Sequence, residues 1–364
     1  LRIERRCDVE LDKALEPAPE YYWIELGRMA RKLVEEFFPI KPGENVVITA
    51  DTQSDWRVVQ ETARAVYAIG AVPTVILHPT TDFPTSDPPD PVAGALQATD
   101  AWIEFESSYL LYSGAWEKAM EAGVRYLAIA GDVDGLVRMV GRVDHAAVVN
   151  LGVRLVQLSN EAREMHVTST AGTDVRFEVN PATSKERDVA KAGAGGYMSR
   201  FKPPASTQTA PGQASVGHVV GTVDGTIVFD GALAPPFEVG VLSQPVRLEI
   251  SKSKITSITG GREARTFERW LASFDHPGMY QMAHCTYGFN PGITRCKGDI
   301  AHDERVFGCM EYGIGAAWAG APGHSDGTVL YPSVWADDVL LEEDGRYVHP
   351  ELVELCRELG VAGY

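Results

Sequence analysis

The pentapeptide Gly323-His324-Ser325-Asp326-Gly327 fits two kinds of chemistry at once. Gly-x-Ser-x-Gly is the pattern of a nucleophile elbow, where a serine sits on a tight strand-to-helix turn. His-x-Asp is a compact pair of metal ligands, because residues i and i+2 of a strand project from one face. The elbow needs a helix directly after the serine. The run after Ser325, DGTVLYPSVWADDVLL, is β-branched and aromatic with Pro332 inside it, and starts no helix. Asp338 and His349 supply a downstream acid and base, but His349 precedes the helix-starting Pro350 and reads as a cap residue. In the metal reading His324 and Asp326 converge, Ser325 faces away, and the flanking glycines leave room for an ion and a substrate. Imidazole plus carboxylate suits iron(II), zinc or manganese.

A catalytic metal needs a third protein ligand. His284 is the first candidate, since MAHCTYGFNPG reads as a strand running into an Asn-Pro-Gly turn, and sites collect at such strand ends. His218, at a glycine-rich strand start, could face a cleft. His302 in GDIAHDERV reads as a solvated loop residue, His145 as a helix position, His78 as a strand end and His276 as a loop residue. The glycine-rich KAGAGGYMSR comes after a charged helical run rather than a strand, so it reads as a loop and not as a dinucleotide fingerprint.

These residues must be held by something, and the pattern along the chain says what. Apolar residues recur at helical spacing from Trp23 to Phe38, and KPGE stops the helix. NVVITA, a helix ending at Gly70, and VPTVILH form a βαβ unit, which requires a parallel sheet. DAWIEFES and VRYLAIAG continue the rhythm to about residue 160. Beyond it, alternating strands with short turns dominate, and REARTFERWLASF and DERVFGCMEYGIGAAW read as helical insertions. The expected fold is an α/β N-terminal domain with an open, mostly parallel sheet over residues 1–160. An α+β C-terminal domain over 161–364 carries the metal site. HPTTDFPTSDPPDP, covering 79–92, reads as a long surface loop or a lid.

The 364 residues are 45% hydrophobic, enough for two packed domains. A formal net charge of -17 repels phosphate backbones, so nucleic acid is not an expected partner. Five cysteines without a Cys-x-x-Cys pair argue against a disulfide framework or a zinc ribbon. The N-terminal run LRIERRCDVELDKALEP has no apolar signal region and no apolar run is long enough to span a bilayer, so a soluble, cytoplasmic protein is expected.

The order of features resembles the aminopeptidase T superfamily. The pieces that carry the resemblance are LVEEFFPIKPGENVVITAD, AGTDVRFEVN, DGTIVFDG, GFNPGIT, GDIAHDERVFG and GHSDGTVLYPSVWADD. The resemblance implies that His324 and Asp326 are metal ligands. It also implies that the remaining ligands of the two-metal peptidases are replaced, by Gln213, His284, Glu311 and Trp318. What survives, His284, His324 and Asp326, is the two-histidine, one-carboxylate set of non-haem iron(II) oxygenases. That set is similar to the branch containing the 2,5-dihydroxypyridine 5,6-dioxygenases of nicotinate degradation. The resemblance implies a ring-cleaving dioxygenase with Fe(2+), a small aromatic substrate and O2, and a homo-oligomer. A substrate-holding arginine of those enzymes is expected to be replaced here by Glu311 or Tyr312. Glu311 and His218 are the candidates for proton transfer, and Tyr109, Tyr112, Tyr287 and Tyr312 for contact with the ring. The rival readings are a metallo-aminopeptidase-like hydrolase with a remodelled site and a ligand-binding protein on an old enzyme scaffold.

Overall fold

The structure is a computed structural model that describes residues 22–81, 85–180 and 203–364. The N-terminal half is the expected alternation. Strand β1 (Asn45–Asp51) pairs in parallel with β2 (Val72–His78) on one side and β3 (Ala101–Glu104) on the other. β4 (Arg125–Ala128) comes next, and the sheet order is β2-β1-β3-β4 with a fifth strand beyond. Helix α1 (Trp23–Lys32) and helix α2 (Trp56–Ala68) cover one face. Asp55 caps α2 through Arg57 N, and Gly70 follows its end at φ 86°. Helices α3 (Asp90–Leu96) and α4 (Gly114–Glu121) cover the other face, packing on Val47, Trp102 and Tyr126. β1 is buried on both faces as a result, which is why it reads as an unbroken apolar run. The proline-rich stretch 79–92 is described except for 82–84, and its last residues enter α3.

The C-terminal half is two antiparallel sheets. The eight-stranded sheet begins with β5 (Glu164–Ser169) and β6 (Asp174–Glu178). The six-stranded sheet contains β8 (Gln213–Val216), β14 (Met282–Gly288), β15 (Cys309–Ile314), β16 (Ser325–Leu330) and β10 (Ala232–Ala234), with β14, β15 and β16 adjacent. Their facing sides share one core, in which Tyr287, Met310, Tyr312 and Val329 meet Val167, Phe177, Ile227 and Val334. The other side of the six-stranded sheet turns toward the N-terminal half. Cys309 of β15 packs there with Val133, Leu136 and Ile293.

Three expectations need correction. CMEYGI is strand β15, not a continuation of a helix. Its residues alternate, with Met310, Tyr312 and Ile314 to the core and Cys309, Glu311 and Gly313 to the other side, which is strand periodicity. His302 is not solvated; it is buried on the short helix Ile300–Asp303, with Nδ1 3.0 Å from Asp303 Oδ1. The division near residue 160 is also not a clean cut in sheet membership, because β7 (Ser206–Thr209) adds to the N-terminal sheet, parallel to β4. KAGAGGYMSR lies outside the described residues.

One buried carboxyl is unrelated to the site. Glu342, on strand Val339–Glu343, is fully buried with neither carboxyl oxygen hydrogen-bonded, and burial pushes its carboxyl well up from the ordinary value. A carboxyl that is raised in the folded state favours folding fully below its unfolded pKa of about 4.3, and that contribution is lost as pH rises toward the folded value. Glu342→Gln is therefore expected to melt a few degrees (about 2–4 °C per kcal/mol) above the parent at pH 8. The difference should vanish near pH 4. Parallel melting curves with a constant offset from pH 4 to pH 8 would contradict this account.

Candidate metal centre

Register decides which side chains share a face, because directly paired residues of neighbouring strands point the same way. His284 pairs with Gly313 and Thr286 with Glu311; Gly313 pairs with Asp326 and Glu311 with Thr328. Ser215 pairs with Thr286 and Gln213 faces Gly288. The outer face of the sheet thus carries His284, Thr286, Glu311, Gly313, Asp326 and Thr328 together, with Gln213 and Ser215 at the side. His324 stands immediately before β16.

His284, His324 and Asp326 converge, with one potential ligand atom from each lying within 4.8 Å of the others. His284 Nε2 is 3.0 Å from His324 Nε2. Asp326 Oδ1 is 3.0 Å from His324 Nε2 and 3.3 Å from His284 Nε2. The opposite ring nitrogens are engaged outward. His324 Nδ1 lies 2.9 Å from the Gly315 carbonyl, which only accepts, so Nδ1 carries the proton. His284 Nδ1 faces Thr286 Oγ1 at 3.1 Å and Glu311 Oε2 at 3.3 Å. Both Nε2 lone pairs are then aimed at one point beside a carboxylate oxygen. Three converging acceptors satisfy a cation, and the residues fit the implied metal. Mutual separations of 3.0–3.3 Å also match neighbouring donors about 2.1 Å from one ion.

Two glycines make this arrangement possible. A Cβ on Gly313 would stand 2.4 Å from His284 Nε2, so the imidazole lies across the space a side chain would fill. Gly315 has φ 88°, and a Cβ there would meet the Gly323 carbonyl oxygen at 2.4 Å. This tight turn places the Gly315 carbonyl under His324.

The electrostatics are those of a ligand set. For His284 burial opposes the charge, but the Glu311 and Asp326 carboxylates push the imidazole well above its ordinary value. For His324 burial again opposes, and Asp326 raises it. Burial works against ionisation of Asp326 too, yet the two imidazoles hold it well below the carboxylate range.

Ser325 is on the opposite face, fully buried, and its hydroxyl donates to the Pro235 carbonyl. No helix comes after it; β16 continues to Leu330. The elbow is excluded by this geometry. Ser325→Ala is expected to keep activity within about threefold, since its loss removes one buried hydrogen bond and no site contact. Inactivation by a serine-directed reagent would contradict that.

The remaining site residues divide. Glu311 is buried directly behind His284, where it can orient the ring but not meet a substrate across it. Tyr287 and Tyr312 are corrected: both are fully buried on the core face, and the Tyr287 hydroxyl pairs with Ser159 at 3.0 Å. His218 lies in a bridge with Val179, its ring edge-on to Phe177 at 6.4 Å, and is not in the three-residue cluster. Tyr109 does approach. Burial, then the charges of Asp326 and Glu304, push its phenol up. Tyr112 is on the same turn, more exposed, against Trp116.

Glu304 escaped the sequence reading. It sits just after the short helix Ile300–Asp303, and its Oε2 accepts from Gln213 Nε2. Burial raises its carboxyl to about 7, with Arg305 opposing, Asp326 adding, and His284 and His324 opposing. Arg305 beside it is buried and bonds the Ala210 and Ala301 carbonyls and Gln213 Oε1. Both lie within GDIAHDERVFG, but nothing in that run assigns them a place near the ligands; the fold of the chain back over β8 brings them here.

A parallel-sheet half set against antiparallel sheets that carry the site on an outer face is the aminopeptidase T fold. The wild-type AmpT structure from Thermus thermophilus superposes with a TM-score of 0.62 at 14% identity, covering 90% of this chain and all of that one. A 2,5-dihydroxypyridine dioxygenase structure from Pseudomonas putida KT2440 superposes with a TM-score of 0.69 at 20% identity, covering 93% and 99%. Within that fold, the chain belongs to the 2,5-dihydroxypyridine 5,6-dioxygenase family, whose pattern matches residues 31–349. A curated 2,5-dihydroxypyridine 5,6-dioxygenase from Pseudomonas putida KT2440 is 27% identical over 220 residues, which are 60% of this chain and 58% of the relative's length.

Proposed function

We propose that this protein is a non-haem iron(II)-dependent dioxygenase that opens a small dihydroxylated nitrogen heteroaromatic ring such as 2,5-dihydroxypyridine. The observation that carries the reading is the convergence of His284 Nε2, His324 Nε2 and Asp326 Oδ1 on one point, with the other ring nitrogens held from behind. Two imidazoles and a carboxylate on one side leave the opposite side free for a substrate and dioxygen. Family membership supports the same chemistry.

Iron(II), when bound, supplies one centre at which ring and dioxygen are held side by side and electrons pass between them. The chain does the rest. Glu311 and Thr286 fix the His284 ring, and Gly315 fixes His324. Glu304, poised near neutrality and steadied by Gln213 and Arg305, can hold or release a proton on the substrate side. Tyr109 offers a phenol that stays protonated, hence a donor to a ring oxygen. The replaced peptidase ligands count against hydrolysis: Glu311 is turned to the back of His284 rather than toward a second ion.

The test is oxygen uptake by protein loaded with iron under argon. One O2 consumed per ring opened is expected with 2,5-dihydroxypyridine. Hydroxybenzoates are compared in parallel. Cleavage of amino-acid amides with zinc and without oxygen would replace this reading with the hydrolase. A homo-oligomer and a cytoplasmic site of action are part of the proposal; among the described residues no helix is long and apolar enough to cross a membrane.

A further inference from the structure

The N-terminal sheet has its own buried polar cluster, which the reaction above does not use. β1 lies between β2 and β3: the chain runs from β1 to β2 on one side and then crosses to β3 on the other, so the strand order reverses at β1. Asp51, His78 and Glu104 are the last residues of β1, β2 and β3, and Glu106 lies two residues beyond Glu104. All four are buried. Three buried carboxyl groups and an imidazole cannot be left without partners.

Part of their satisfaction is local: Asp51 Oδ1 accepts from Gln53 N and Ser54 Oγ, and Glu104 Oε2 accepts from the Tyr126 hydroxyl. The rest comes from one turn, residues 105–112. Asp51 Oδ2 accepts from Ser107 N at 3.0 Å, Ser107 Oγ at 2.6 Å and Ser108 N at 3.3 Å. Glu104 Oε1 accepts from Leu110 N at 2.6 Å. Glu106 Oε1 meets His78 Nε2 at 3.0 Å, an ion-pair distance although off the line of a hydrogen bond. His78 Nδ1 is 2.8 Å from the Pro79 carbonyl, so neither ring nitrogen is left for a substrate. The strand-end carboxylates therefore clamp the turn from beneath. Tyr112 on the turn (φ 70°) and Thr85, whose amide bonds the Tyr109 carbonyl at 2.8 Å (φ 69°), both hold left-handed backbone without being glycine. Such strain persists only where the surroundings over-determine it. Phe105, the first residue of the turn, shares an apolar cluster with Ile293, Val306 and Cys309, on the face of the six-stranded sheet that carries the ligands. On that side Tyr109 feels the charges of Asp326 and Glu304.

We propose that Glu106 and His78, with Asp51, are positioning residues that seat the 105–112 turn against the ligand cluster, so that the N-terminal sheet sets substrate affinity through Tyr109. This rests on the ring-binding reading of the site. Glu106 acts through the turn, not on the ring.

The experiment uses the full chain loaded with iron(II), with 2,5-dihydroxypyridine as the probe. Glu106→Leu should raise KM, and the anaerobic dissociation constant of the ring, about tenfold, with metal content unchanged and kcat within about threefold. Glu106→Gln keeps the shape and a polar contact with His78 but loses the ion pair, and should restore part of the loss. Tyr109→Phe should raise KM similarly, and Glu106→Leu added to it should cost little more, since groups acting through one another are not additive. Ser107→Ala, which keeps the backbone bonds to Asp51, serves if Glu106→Leu does not fold. A lowered melting point with unchanged KM, or full additivity with Tyr109→Phe, would overturn the proposal. Should the wild type turn over no ring, the functional reading fails while the clamp is still judged by hydrogen exchange. Faster exchange over 105–112 in Glu106→Leu, with 282–288 unchanged, supports it; unchanged exchange over 105–112 refutes it.

Discussion

Asp326→Ala is expected to strip the metal and abolish turnover in a protein that still folds. The Asp326 carboxylate supplies the negative charge at the cluster, between two imidazoles whose Nε2 atoms are 3.0 Å apart. Without it, two neutral donors face a divalent ion with one position and one charge missing. Loss of a partner behind a ligand already weakens metal binding about 10–100-fold, so loss of the ligand itself should exceed about 100-fold. His284→Ala and His324→Ala should behave alike. Metal content after anaerobic purification and dialysis against a weak chelator, beside oxygen uptake, reads the effect. Stoichiometric metal with normal turnover in any of the three would remove that residue from the site.

Gly313→Ala is expected to damage the site almost as severely while adding only a methyl group. Its backbone is ordinary strand, so alanine meets no conformational penalty there. The obstacle is the His284 ring, with Nε2 at 2.4 Å and Cδ2 and Cε1 at 2.6 Å from the new carbon. Carbon atoms in contact need about 3.5 Å, so the ring must swing by roughly 1 Å or the strands must part. Either movement takes Nε2 away from Asp326 Oδ1. A metal dissociation constant raised about 100-fold is expected, with kcat/KM lost in proportion at limiting metal. Isothermal titration with Mn(II) as a redox-inert stand-in measures it. Unaltered affinity would mean that the imidazole has slack the geometry does not show.

The parts legible in the sequence were those with a short-range physical signature. The βαβ rhythm showed because a doubly covered sheet makes each strand an apolar run, as in NVVITA. His324 and Asp326 showed because i, i+2 spacing on a strand has one outcome. The same rule could have removed Tyr287, which stands an odd number of residues from His284 and so faces the core. The resemblance places Glu311 near the chemistry, but CMEYGI reads as helix because its glycine and large apolar residues fit either period over so short a span. That error hid its position behind His284. The place of Glu304 and Arg305 near the ligands does not show, although both lie in GDIAHDERVFG, for a different reason. Their place depends on Gln213, 91 and 92 residues away, and no local pattern encodes such a meeting.

The strand β7 has a consequence for how this chain is made. It completes the N-terminal sheet only after β5 and β6, which belong to the other sheet, have been synthesised. A nascent chain halted near residue 160 would hold β4 as a bare edge, an open invitation to pair with a neighbouring chain. The two halves are thus threaded through each other in time as well as space. Vectorial synthesis cannot finish the first before starting the second, and a gene cut at residue 160 should yield aggregation rather than two independent modules.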